Sequence, residues 1–198
     1  MLNLAAFTVL LAGANALSAW LAVGTVFFYV VIYTLWLKRT SPLCTAIGGV
    51  AGALPPVIGW AAIANQIDWP AIILFGILFL WQPPHFWALA ILRVDEYRRA
   101  NLPILPVARG DTVTKRQMLL YTLALLSACF LLYWQGWVGE LYLFVTMAVG
   151  LWYLAITISV IFGAKNPQKT RRLFFISILF LFLLFVAIFI DCECQSLV

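Results

Sequence analysis

The run Ala71-Ile-Ile-Leu-Phe-Gly-Ile-Leu-Phe-Leu80 continues without a charge into Trp81-Gln-Pro-Pro-His-Phe-Trp87. A membrane β-barrel strand would show about ten residues alternating between apolar and polar, and this run does not alternate. It is long enough, and apolar enough all round, to be a helix in lipid. Similar runs recur along the chain. Of 198 residues 65% are hydrophobic and 10% charged, the composition of an integral membrane protein. The runs predict helices near 3–13, 17–37, 43–64, 70–92, 117–134, 139–162 and 171–190. The expected fold is therefore all-α: a polytopic membrane helical bundle of about seven transmembrane segments, the first one short, forming a single domain over residues 1–198.

The basic residues orient the bundle. Lys38 and Arg39 follow the second segment; Arg93, Arg98, Arg99, Arg109, Lys115 and Arg116 follow the fourth; Lys165, Lys169, Arg171 and Arg172 follow the sixth. All lie on one face, which the positive-inside rule makes cytoplasmic. That puts the N-terminus on the cytoplasmic side and the C-terminus opposite, where Asp68, Glu140, Asp191 and Glu193 also fall. The net charge of +5 then reflects topology, and no nucleic acid partner is implied.

The first segment, Leu2 to Gly13, is short: about twelve residues make roughly 18 Å of helix against a hydrocarbon core of about 30 Å. Ala14-Asn-Ala16 imitates a signal cleavage site but lacks a basic region before it. Cys44, Cys129, Cys192 and Cys194 have no metal-ligand spacing and read as incidental, although Cys192 and Cys194 lie on the side where oxidation can occur.

Three stretches carry residues that lipid-facing helices have no use for. Ala46-Ile-Gly-Gly-Val-Ala-Gly-Ala-Leu-Pro-Pro-Val-Ile-Gly59 has small residues that permit close helix approach, and Pro55 and Pro56 remove two backbone donors. Such a broken helix lines a cavity or forms a packing kink. Tyr33-Thr-Leu-Trp-Leu-Lys-Arg39 closes the second helix as an interfacial anchor or a ligand site. The third stretch is Trp81–Trp87 with the following Arg93-Val-Asp-Glu-Tyr-Arg-Arg99 and Leu102-Pro-Ile-Leu-Pro106. His85 is the only histidine, and an ionisable group inside the membrane is functional by default; the alternative is a ring satisfied by a carbonyl that Pro83 or Pro84 sets free. If the helix continues past Leu92, then His85, Glu96 and Arg99 lie within about 40° of one another, a polar stripe reaching the cytoplasmic mouth. Asp95 with Arg98 and Arg99 is by itself an ordinary surface ion pair. Acids beside several cations also suit a divalent metal and a phosphorylated ligand. With an apolar cavity below, this points to a lipid diphosphate.

Tyr33-x4-Lys38-Arg39, Pro55-Pro56-x-Ile58-Gly59, Trp81-Gln-x-Pro84-His85-Phe86, Asp95-x-Tyr97 and Pro103-x-Leu105-Pro106-Val107 occur in that order. Together they resemble the protoheme IX farnesyltransferase (haem O synthase) family of the intramembrane aromatic prenyltransferase superfamily. The resemblance implies an enzyme that transfers a farnesyl group from farnesyl diphosphate to the vinyl group of haem B, forming haem O with the help of Mg²⁺. It implies Asp95 and Glu96 at the metal and Asp95, Arg99 and His85 at the chemistry, His85 ligating or orienting haem or bonding a substrate. It implies Lys38, Arg39, Arg93, Glu96, Tyr97, Arg98 and Tyr33 in substrate binding. The setting implied is a bacterial inner membrane, with a terminal oxidase or haem A synthase as associated proteins. The family also has nine membrane helices and an acidic Asn/Asp-x-x-Asp-x-x-x-Asp motif after the second, whereas no acid precedes Asp68 here. The expectation is a chain lacking the first two helices and the first acidic motif, and unable alone to make haem O. Two other functions fit the residues: a non-catalytic haem- or lipid-binding membrane remnant, and a prenyltransferase of quinone or chlorophyll precursors. The second is disfavoured because Arg99 occupies the last position of Asp95-x-x-x-Arg99.

Overall fold

A computed structural model describes residues 1–162 and 166–196, without the side chains of 193–196. Lys165, one of the basic-face cations, and the side chains of Glu193 and Cys194 lie outside the described residues. The order is α1 (Leu2–Gly13), α2 (Ala16–Thr40), α3 (Cys44–Ala64, in two halves), α4 (Trp69–Leu92), α5 (Val94–Arg99), α6 (Leu105–Trp134), α7 (Glu140–Phe162) and α8 (Pro167–Ser196). There is no strand among the described residues. Six helices are long and apolar enough to cross a membrane, and α1 is a shorter apolar helix. The chain is an integral membrane helical bundle.

Helix α4 is the centre, packing against α3, α6 and α8, with α7 closing the far side between α6 and α8. Ile77, Trp87 and Ala88 of α4, Met118 and Leu125 of α6, Tyr153 of α7 and Phe180 of α8 are buried in one cluster. Around this core the helices are tied at their ends. Asn15 caps α2 by accepting from the Ser18 N–H at 2.9 Å, while its amide donates to the Ala61 and Ala62 carbonyls at 2.6 and 3.1 Å. The last carbonyls of α3 are thereby satisfied and the α1–α2 corner is fixed to that helix. Asp191, buried near the end of α8, accepts from the Gly139 and Tyr142 N–H groups at 2.9 and 2.8 Å. A carboxylate there satisfies donors at the N-terminus of α7 and complements its dipole.

Helix α4 runs from Trp69 to Leu92 as expected, Pro83 and Pro84 included, but two other expectations change. The chain turns at Arg93 (φ −117°, ψ 25°) before α5, so the continuous stripe from His85 to Arg99 does not form. Helix α6 starts twelve residues before the predicted 117, at Leu105, because the charged first turns are helical but invisible to hydropathy. A kink at Gly110, whose φ of 78° favours glycine, separates Leu105–Arg109 from the rest of the helix, where Asp111, Lys115 and Arg116 precede the apolar part.

In α3 the regular hydrogen bonding lapses at Leu54, between Cys44–Ala53 and Pro55–Ala64, where the two prolines lack N–H groups, although Leu54 keeps helical angles (φ −76°, ψ −25°). In α2 the segment Phe28–Leu37 widens to π-helical turns, and the Thr34 hydroxyl donates to the Tyr29 carbonyl at 2.8 Å. Wide turns of this kind occur frequently at functional sites.

Candidate functional site: a cavity between α2, α3 and α4

Three helices enclose a cavity of about 760 Å³, within the range of about 300–1,000 Å³ of ligand sites. The π-helical wall of α2 supplies Tyr29, Val30, Tyr33 and Lys38; the first half of α3 supplies Cys44, Thr45, Gly48, Gly49, Ala51 and Gly52; α4 supplies Gln82, Phe86 and Ala90. Tyr97 of α5 joins them with Leu102 and Ile104 at the end where Lys38 lies, and Asn3, Thr25 and Val26 mark the opposite reach. Leu37, Cys44, Ala90 and Ile104, with Tyr33, Tyr97 and Leu102 against them, pack the Lys38 end.

The glycines of α3 make the enclosure. A Cβ at Gly48 would run into the Tyr33 ring, and one at Gly52 into the Gln82 carboxamide oxygen. The Gln82 side chain reaches across the space this leaves: its Nε2 donates to the Gly49 carbonyl at 3.0 Å and to the Leu78 carbonyl at 3.2 Å. Two bonds to carbonyls fix the nitrogen, so the amide oxygen is the atom lying over Gly52. Pro55 and Pro56 have no N–H to offer the carbonyls of Ala51 and Gly52, and both residues line the cavity. One wall thus presents acceptors, the other the Tyr29 and Tyr33 rings, 5.4 Å apart, and the Lys38 cation.

Of the residues singled out in the sequence, Tyr33, Lys38 and Tyr97 line this cavity. The acidic and basic cluster does not. Asp95 pairs with Arg98 at 2.7 Å and Glu96 with Arg93 at 3.8 Å, all well exposed, and Arg99 donates to the Asp95 carbonyl at 3.3 Å. These residues share α5 or its edge with Tyr97, so they stand beside the Lys38 end of the cavity. Arg39 is exposed one residue beyond Lys38. Among the described residues no three His, Cys, Asp or Glu side chains gather as a metal site. Asp95 and Glu96 fit a Mg²⁺ ion only in the manner of substrate-completed sites, where one or two carboxylates are joined by phosphate oxygens and water.

His85 faces the other way. Its ring is stacked between Trp81 and Phe174, with centroids 4.5 Å from each, and Nδ1 is 2.7 Å from the Ser177 hydroxyl. That hydroxyl donates to the Phe174 carbonyl at 2.6 Å. Its single proton being used, it accepts from Nδ1–H, and Nε2 keeps its lone pair. Trp81 adds a bond from Nε1 to the Ser177 carbonyl at 2.7 Å. Trp81 and His85 form the row of α4 that meets α8, whereas Gln82, Phe86 and Ala90 form the neighbouring row on the cavity.

Gln82 and the glycines were not among the expected site residues. The signal was present: Gln82 is a polar amide within an apolar helix, four residues before Phe86, and the small residues of α3 recur at three- and four-residue spacing. Which row faced the cavity was not written in the sequence.

The sequence profile of the UbiA prenyltransferase family matches residues 1–184. Protoheme IX farnesyltransferase of Gloeobacter violaceus is 48% identical over 190 residues, covering 96% of this chain and 62% of that protein. Those of Symbiobacterium thermophilum and Aquifex aeolicus are 45% and 43% identical, covering 89% and 96% of this chain and 60% and 64% of theirs. The chain thus spans about three fifths of the length of the curated relatives it matches. No solved structure gives a significant match. On the profile match, which covers nearly its whole length, the chain belongs to the UbiA prenyltransferase family.

Proposed function

We propose that this chain forms the cavity in which a farnesyl group from farnesyl diphosphate is joined to the vinyl group of haem B, giving haem O. The observation that carries the reading is a cavity with one cationic, tyrosine-lined end and an otherwise largely apolar interior, in a chain 48% identical to a protoheme IX farnesyltransferase. Lys38 neutralises a phosphate oxygen, and the hydroxyls of Tyr33 and Tyr97 donate to others. The isoprenoid chain lies along Val26, Val30 and the α3 glycines, away from water. Arg39, Arg93, Arg98 and Arg99 form the cationic rim that draws in diphosphate or haem propionates. Asp95 and Glu96 offer carboxylates to Mg²⁺, which supplies charge neutralisation for the departing diphosphate. His85 acts as a positioning residue, holding the α4–α8 seam behind Phe86. The basic face is the cytoplasmic one, in a bacterial inner membrane.

The test has two readouts. Haems extracted from a strain lacking haem O synthase and expressing this chain are analysed for haem O, and the purified chain is titrated with farnesyl thiodiphosphate, a non-reacting analogue. Saturable binding that Lys38→Met weakens supports the site, and its absence would overturn the reading. The chain alone is expected to make no haem O, and haem O at wild-type levels would contradict that expectation.

A further inference from the structure

A second pocket, of about 420 Å³, lies on the other side of the Ser41–Leu43 turn and shares no lining residue with the first. Its walls are the turn itself, Trp87 of α4, and Leu105, Arg109, Gln117 and Tyr121 along one side of α6. The kink at Gly110 comes immediately after Arg109 and sets that residue at the basic end of the bundle. Arg109 is exposed and takes no part in either ion pair found among the described residues. The rest of the wall is mixed. Trp87 and Tyr121 meet edge to face, 5.4 Å apart. The Trp87 Nε1–H is buried with no hydrogen-bond partner among the described residues, an arrangement that is costly unless something satisfies it.

A lone guanidinium at the membrane interface, above aromatic and aliphatic side chains and beside hydroxyl and amide donors, matches an amphiphile with an anionic head. Free phosphate would leave the apolar wall uncovered, and a neutral lipid would leave the cation unused. We propose that this pocket binds an anionic phospholipid, its phosphate on Arg109 and the start of its acyl chains against Trp87, Leu105 and Val113. Basic pockets between transmembrane helices recognise lipid head groups in this way. The site is independent of the prenyl-transfer cavity, and either can fail without the other.

Native mass spectrometry of the purified full chain tests this, with phosphatidylglycerol, phosphatidylcholine and inorganic phosphate as probes. Phosphatidylglycerol is expected to bind in preference to phosphatidylcholine. Arg109→Gln should weaken phosphatidylglycerol roughly tenfold, the size of one lost charge-assisted hydrogen bond, and leave phosphatidylcholine unchanged. Arg109→Lys should keep part of the preference, and Arg116→Gln, outside the pocket, should keep nearly all of it. Val113→Trp, which fills the pocket from an exposed position, should remove the preference with the charge intact. Equal binding of the two lipids would overturn the proposal, as would equal losses from Arg109→Gln and Arg116→Gln, which mean diffuse charge attraction. Competition by millimolar phosphate with no lipid preference would overturn it in favour of a free-anion site.

Discussion

At the scale of single residues, the cavity depends on atoms that are absent. Gly52 has no Cβ, and the Gln82 carboxamide occupies that space while its nitrogen bridges to the Gly49 carbonyl. Gly52→Val should displace Gln82 and narrow the cavity, lowering farnesyl thiodiphosphate affinity by about tenfold or more, while Gly59→Ala, where nothing lies within 4 Å, should change it little. A titration of both variants beside the parent checks this. Lys38→Met removes the cavity's one lysine and should cost roughly tenfold in the same assay, the scale of one hydrogen bond to a charged group. The exposed pair Asp95–Arg98 is worth only about 0–1 kcal/mol to the fold. Arg98→Gln is therefore expected to leave the melting temperature nearly unchanged, so any loss of ligand affinity in that variant reports on binding.

At the scale of elements, the prolines teach most. Pro55–Pro56 interrupts α3 and Pro83–Pro84 leaves α4 helical, although both remove two donors. The central helix α4 is held on three sides by α3, α6 and α8, with Trp81 and His85 bonded to Ser177. Packing of that kind overrides local propensity. The interruption of α3, the all-helical bundle and most segment positions were legible from hydropathy and proline placement. The turn at Arg93 was not, because nothing in Leu92-Arg93-Val94 breaks a helix by itself. Helix ends also carry stability here. Asp191→Ala strips the acceptor from the Gly139 and Tyr142 N–H groups and should destabilise by about 2 kcal/mol or more, while Asp191→Asn retains an oxygen and should lose less. Thermal unfolding in detergent distinguishes the two.

At the scale of the whole molecule, the lysines and arginines of the described residues cluster at the ends of α2 and α4 and the starts of α6 and α8, which gives the bundle a basic end. Single cysteines placed at Thr112 and at Gln135, in a background with Cys192 and Cys194 replaced by Ser, should label with a membrane-impermeant maleimide from opposite sides, Thr112 from the cytoplasm. Labelling of both from one side would contradict the topology. The cavity and the second pocket both lie near the Lys38–Arg109 end, on either side of the Ser41–Leu43 turn. Substrate and lipid would then meet the protein at the same interface.

By itself the sequence determined that the chain is a bundle of helices long and apolar enough to cross a membrane. Long apolar runs force helices, because lipid satisfies no backbone groups, and the placement of charges orders those helices relative to the membrane. Tyr33, Lys38 and Tyr97 were singled out by the resemblance to the prenyltransferase family, since hydropathy and charge left Tyr33–Arg39 as an interfacial anchor or a ligand site. Only the tertiary structure decided which way each row of α4 faced. Neighbouring positions on one helix differ by about 100°, so His85 and Phe86 are adjacent in the chain and still meet different partners. Hydropathy cannot separate a face toward a cavity from one toward another helix, since both are buried and largely apolar. The α8 helix, arriving ninety-two residues later to bond His85 through Ser177, made that choice.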